Sequence, residues 1–187
     1  MIINCPVCGG DNTAKSTTKT ESIPHFGEIM HSSMVCDACG YKHNDVIVLD
    51  QKDPIRYELK INEVNLSSRV VKSQSATVSI PELGLKVEPG SKSIAYVSNV
   101  EGVLIRFKDA VKRALILFSD DESQRNGKTI LYNIEEVFKG NLEVTLIIED
   151  PLGNSKVMDL SVKSRSLTKE ELKGLKTGIS IIESSDD

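Results

Sequence analysis

Apolar and polar residues change their spacing several times along the chain, and each change marks an element. From Ile55 to Asn62 the period is strictly two, with Ile55, Tyr57, Leu59 and Ile61 alternating with Arg56, Glu58, Lys60 and Asn62. Such alternation predicts a strand with one buried face. Ala76, Val78 and Ile80 alternate in the same way, as do Leu83, Leu85 and Val87, before Pro89-Gly90 breaks the chain. Leu142, Val144, Leu146 and Ile148 predict another strand, Asp150 to Asn154 a turn, Met158, Leu160 and Val162 the return strand, and Ile179 and Ile181 a last one. Strands at this density, separated by turns, indicate an antiparallel sandwich or barrel.

Between Ser98 and Phe118 the period becomes three and four. Val100, Val103, Leu104, Phe107, Val111, Ala114, Leu115 and Phe118 form one stripe, which predicts an amphipathic helix expected to pack on the sheet. Ser98 is its expected cap, with Glu101 completing a capping box. Asp120 to Gly127 reads as a polar loop, and Ile134 to Lys139, stopped by Gly140, as a short second helix. Together they predict a helical hairpin at about 99–140, inserted between strands. Thr168 and Glu171 form a further capping box, opening a short helix from Lys169 to about Leu175 with Leu167 and Leu172 as its staple, and 184–187 is an acidic tail.

The first 50 residues read differently from the remainder, 51–187. All four cysteines lie here, as Cys5-Pro-Val-Cys8 and Cys36-Asp-Ala-Cys39, and so do all three histidines, His25, His31 and His43. Each C-x-x-C pair forms a tight turn that aims two thiolates at one point, and Gly9 and Gly40 follow the pairs where positive φ is needed. Four cysteines close the coordination shell of one zinc ion and leave no position for water, so the site is expected to be structural. A redox C-x-x-C would need a βαβ context, which is missing around Cys5. The histidines are expected to be exposed or packing residues. Thr13 to Glu21, Ile29 to Val35 and Val46 to Leu49 supply three candidate strands, so the module reads as a zinc ribbon. A module this small has too little core to fold without its metal.

Composition narrows the function classes. The chain has 187 residues and a net charge of −4. The ribbon region has only Lys15, Lys19 and Lys42 as cations, and the chain has no Trp, which argues against phosphate contacts and base stacking. No apolar run approaches the roughly 20 residues of a membrane span. The start, Met1 to Cys5, has neither a basic nor an apolar segment of a secretion signal, so a cytoplasmic location is expected. No histidine follows His43, no nucleophile–base set or phosphate-cradling glycine loop is present, and the chain reads as a non-enzyme.

Several segments in fixed order resemble the ZPR-type zinc finger protein family. In the finger these are Ile23-Pro-His-Phe-Gly-Glu28, Ser33, Cys36-Asp-Ala-Cys-Gly-Tyr41 and Asn44-Asp-Val46. Beyond it they are Arg69-Val-Val-Lys-Ser73, Ile80-Pro-Glu-Leu83, Pro89-Gly90, Val100-Glu-Gly102 and Asp150-Pro-Leu-Gly-Asn-Ser155. Eukaryotic members carry the finger-plus-β unit twice; this chain carries it once and is similar to the archaeal form. It departs from the family at Arg69, where an acidic residue is common, and at Ser91-Lys-Ser93, where paired glycines are common. The resemblance implies a mainly β fold, with a zinc ribbon followed by a jelly-roll-like double-stranded β-helix that carries the hairpin.

The resemblance also implies a protein-interaction factor that binds translation elongation factor one-alpha and assists its folding. Candidate contacts are the finger loop and its flank, with Phe26, Ile29, Met30 and Met34, and the hairpin's polar face, with Lys112 and Arg113. Exposed Met and Phe beside a rigid metal site suit partner binding. The competing reading places the same residues in the ribbon's small core. A zinc ribbon acting on nucleic acid, in transcription or ribosome assembly, is the alternative function.

Overall fold

The computed structural model describes residues 1–23, 27–50, 52–90 and 92–177, apart from the side chains of 45, 47 and 48. The expected strand at Ile179 and Ile181 and the acidic tail lie outside these residues, as do His25 and Phe26. The chain divides into two compact units, Met1–Gln51 and Lys52–Asp187.

The first unit is one antiparallel sheet in sequence order: β1 (Ile2–Ile3), β2 (Ala14–Ile23), β3 (Gly27–Cys36) and β4 (Lys42–Val48). β2 and β3 pair along their whole length, from Ala14 opposite Cys36 to Ile23 opposite Gly27. Apolar burial gathers at the Cys36 end, where Cys5, Ala14 and Cys36 are backed by Ile3, Met34 and Tyr41.

The second unit contains β5 (Ile55–Ile61), β6 (Arg69–Lys72), β7 (Thr77–Ile80), β8 (Leu85–Val87), β9 (Tyr96–Asn99), α1 (Val100–Leu117), α2 (Asp121–Phe138), β10 (Val144–Asp150), β11 (Lys156–Met158), β12 (Lys163–Ser166) and α3 (Lys169–Lys173). Two antiparallel sheets, ordered β12-β5-β10-β7-β8 and β11-β6-β9, share one core with the helical hairpin. Leu59, Ile61, Val78, Ile80, Leu146 and Ile148 enter that core from the larger sheet, Val70 and Val157 from the smaller. Val100, Val103, Leu104 and Phe107 of α1 and Ile134 and Val137 of α2 complete it. The period-two and period-three-to-four patterns thus face the same interior.

Four expectations change. The strand expected from Leu83 begins at Leu85, because Pro81–Leu83 form a 3₁₀ turn that Gly84 closes at positive φ. α1 is capped by Asn99, whose side chain accepts the Gly102 amide at 2.8 Å, and not by Ser98. α2 begins at Asp121, so the expected polar loop is its first turns, capped by the Asp120 carboxylate on the Ser123 amide at 2.8 Å. Gly127 serves packing there: a Cβ on it would lie 2.5 Å from Leu115 Cδ2, so the glycine lets the two helices approach. Met158, Leu160 and Val162 are not the return strand of β10. β10 is flanked by β5 and β7, so its hydrogen-bonding edges are already taken, and the chain beyond the turn crosses to pair β11 with β6. Leu160 stands fully exposed.

A buried polar network joins the two sheets. Asp150, at the end of β10, is 0% exposed. Its Oδ1 accepts the Ser75 hydroxyl at 2.6 Å and the Leu152 amide at 3.0 Å, and its Oδ2 accepts the Ser155 amide at 2.6 Å. The Ser155 hydroxyl in turn accepts the Ser73 amide at 3.0 Å, and the Ser73 and Ser75 hydroxyls lie 3.1 Å apart. Burial alone would raise the Asp150 carboxyl, but these hydrogen bonds outweigh it and hold the group below the ordinary aspartate range. Lys72, at the end of β6, is also buried, at 4% exposure. Its ammonium donates to the Ser73 carbonyl at 2.8 Å and to Ser93 Oγ at 3.3 Å. Burial lowers it to about 8, against the pull of the Asp150 charge.

Asp150→Asn is expected to cost about 3 kcal/mol, because a side-chain N–H₂ then faces backbone or hydroxyl donors in a dry site. Urea denaturation reads this directly; an unchanged midpoint contradicts the network's role. For Lys72 the expectation concerns pH. Below about pH 8 the lysine is charged in folded and unfolded chains alike, and folding bears the whole desolvation cost. Between there and its ordinary value the folded chain releases the proton first, and up to about 3 kcal/mol of that cost is relieved. Lys72→Met is therefore expected to be at least as stable as the native chain at pH 7, with the difference narrowing as pH rises toward 10.

Candidate metal centre

Two near-identical knuckles build the site. In the first, the Gly9 amide donates to the Cys5 carbonyl at 2.9 Å and the Cys5 amide to the Gly10 carbonyl at 3.0 Å. In the second, the Gly40 amide donates to Cys36 O at 3.0 Å and the Cys36 amide to Tyr41 O at 2.8 Å. Both turns close through a glycine at positive φ, Gly9 at 69° and Gly40 at 72°. The long β2–β3 pairing carries the second knuckle back to the first, and the Asp37 amide ties them by donating to Thr13 O at 2.9 Å.

The four sulfurs of Cys5, Cys8, Cys36 and Cys39 lie within 4.8 Å of one another. Cys5 and Cys39 Sγ are 3.8 Å apart, Cys8 and Cys36 Sγ 3.9 Å. A tetrahedron with zinc–sulfur bonds of about 2.3 Å has edges of about 3.8 Å, so the donor set and its spacing fit one zinc ion. Cys5 and Cys36 are buried and Cys8 and Cys39 exposed, which leaves the metal a path of entry. Electrostatics agree. The Thr13 hydroxyl and the Cys39 backbone lower the Cys36 thiol to about 6. Cys39 is pushed up to about 12: the Tyr41 backbone lowers it, but burial and the sulfurs of Cys36, Cys8 and Cys5 outweigh that. Four thiolates this close need a dication among them, and zinc supplies it.

Of the histidines, the two among the described residues, His31 and His43, stand apart from the cluster. His31 Nε2 lies 2.9 Å from Glu21 Oε1, and His43 stacks on Tyr41 with ring centroids 6.3 Å apart. Among the expected contact residues, Ile29 is buried at 2% exposure and presents no surface to a partner. Met34 packs on the cysteine core, and Met30 is half-buried on β3. Lys112 and Arg113 are exposed on α1.

One apolar surface joins two residues out of phase with the helical stripe, Ile116 and Leu117, to Phe118, the stripe's last member, which was expected to pack on the sheet and is exposed instead. Ile116, Leu117 and Phe118, at the apex of the hairpin, are 83%, 78% and 57% exposed. The apex is nonetheless fixed: Gln124 Nε2 of α2 donates to the Leu115 and Phe118 carbonyls, both at 2.7 Å, closing the end of α1. Lys108 of α1 pairs with Glu135 of α2 lower down.

Comparison with known proteins places both units. The family model for the ZPR1 zinc-finger domain matches residues 1–49, and that for the ZPR1 jelly-roll domain matches 64–174. An uncharacterised ZPR1-like protein of Pyrococcus horikoshii is 43% identical over 98% of this chain and 84% of its own length. One from Methanocaldococcus jannaschii is 39% identical over 97% of this chain and 92% of its own. The zinc finger chaperone zpr1 of Schizosaccharomyces pombe is 32% identical over 81% of this chain, which spans 34% of that protein.

One zinc per chain is expected on elemental analysis of protein purified without added metal; iron, or no metal, contradicts the assignment. Cys36→Ser is expected to abolish zinc retention and melt the ribbon while the second unit, with its own core, keeps a cooperative thermal transition. Loss of both transitions together would show that the two units do not fold separately.

Proposed function

This chain belongs to the ZPR1 zinc-finger protein family, and we propose that within it the chain is a non-enzymatic, cytoplasmic protein-interaction factor whose partner is translation elongation factor one-alpha. The observation that carries the reading is the hairpin apex. Three large apolar side chains, Ile116, Leu117 and Phe118, project from a turn whose backbone is locked by Gln124. Exposing them costs free energy that a partner's apolar surface would recover, and the rigid turn keeps the ordering cost low. That the fission-yeast relative is named a chaperone supports a protein partner.

A standard interface covers about 800 Å² on each side, more than three side chains provide. Lys112 and Arg113 extend the contact along α1, and Phe26 and Met30 are proposed as a separate contact made by the ribbon. Ile29, being buried, has no part in it.

Calorimetric titration of an archaeal elongation factor one-alpha into the zinc-loaded protein tests the reading. Leu117→Asp combined with Phe118→Asp is expected to weaken binding by about a hundredfold, as loss of central apolar anchors does. Lys112→Glu is expected to weaken it less, with an effect that shrinks as salt is added. Native affinity in a folded apex variant removes the hairpin from the interface; no binding by the native protein removes the elongation factor.

A further inference from the structure

The second unit has an open pocket of about 300 Å³ between β7 and β8 of the larger sheet, β6 and β9 of the smaller one, and α1. It does not overlap the metal centre or the hairpin apex. Its floor is apolar: Val78, Val103 and Phe107 are each less than 5% exposed. Its rim holds Val87 and Ile94, at 44% and 69% exposure, apolar side chains with nothing over them among the described residues.

Four cations line the same space: Lys72, Lys92, Arg106 and Arg113. Among the described residues none of them forms an ion pair. The lining has one acid, Glu88, which is already held by Lys86 at 2.8 Å and Lys176 at 2.6 Å. Those two lysines pull it down to about 2, so it is no counter-ion for the other four. Lys72 and Arg106 share one aromatic ring. The Arg106 guanidinium lies 4.2 Å from the Tyr96 ring centroid, and the Lys72 ammonium 5.9 Å. Lys72 is more than nine-tenths buried, and its ammonium has two neutral acceptors for three N–H groups. No carboxylate among the described residues lies within ion-pair distance of this ammonium; the Asp150 charge acts on it from further off and does not offset its burial, which lowers Lys72 to about 8. An anion bound beside it would remove the deficit.

We propose that this cavity binds a carboxylate carried on an apolar body, the carboxylate meeting Lys72 and Arg106 and the apolar part lying on Val78, Val103 and Phe107. The volume is at the small end for ligand sites and suits a body of roughly eight carbons. Arg106 offers the planar fork that a carboxylate accepts in two bonds, and Lys72 a point charge from the floor. Lys92 and Arg113, further along the lining, add attraction for the anion without filling the apolar space. The shared chemistry has two sources: a free medium-chain acid, or the C-terminal residue of a peptide with a leucine-like side chain.

The experiment uses the full zinc-loaded chain and isothermal titration with three probes: octanoate, acetyl-Leu-Leu as the acid, and octylamine. At least one of the two acids is expected to bind with a Kd under about 1 mM, and octylamine not at all. The tighter acid identifies the source. Arg106→Gln, at an exposed position, and Lys72→Met are each expected to weaken the acid about tenfold or more, whereas Lys128→Gln, on the exposed side of α2, leaves it unchanged. Overturning results are no binding by either acid, equal binding by octylamine, or native affinity in both the Arg106 and Lys72 variants.

Discussion

The Asp150 carboxylate organises the second unit. It sits at the end of the central strand of the larger sheet and takes hydrogen bonds from the β6–β7 turn and from the turn that leads to β11. Those two turns belong to the smaller sheet's side of the core, so one buried charge sets where the sheets meet. An ionised group without exposure is tolerable only because each oxygen is satisfied, and the serines at 73, 75 and 155 supply what water would. The segments Val-Val-Lys-Ser and Asp-Pro-Leu-Gly-Asn-Ser, distant in sequence, are two sides of this single arrangement.

The first unit solves a different problem. Its sheet is long, but among the described residues its buried apolar side chains are Cys5, Ala14 and Cys36 at the knuckles and Ile29 further along β3. Hydrophobic burial on that scale does not offset chain entropy, and the metal bonds take its place. The metal is thus a structural element of the ribbon, in the way that Asp150 is of the jelly roll.

The features proposed for interaction lie where the packing is incomplete. The hairpin's stripe is satisfied by the sheets, but its last turn carries apolar residues beyond the core's reach. The cavity beside α1 lies where Lys72 occupies a position that a purely stabilising sequence would give to an apolar residue. Both features lower stability in the isolated molecule, which is the usual signature of a surface or pocket kept for something else.

The local elements and the metal ligands were legible in the chain itself, because each depends on neighbours a few residues away. Period two marked β5 and β10, the helical period marked α1, the Thr168–Glu171 box marked α3, and the two C-x-x-C-Gly knuckles marked the zinc site. Ile116 and Leu117 fall outside the stripe, and only their exposure in the folded chain gives them meaning. Tertiary structure decided the rest. The pairing of β10 with β5 and β7 joins strands far apart in sequence, and no local pattern encodes which edge a strand will fill. The length of α2 was hidden because Gly127 is there for Leu115 of the other helix, not for a loop. Nothing local marks Lys72 as buried; two sheets and a helix close around it, and burial is a property of the assembled core and not of the residue.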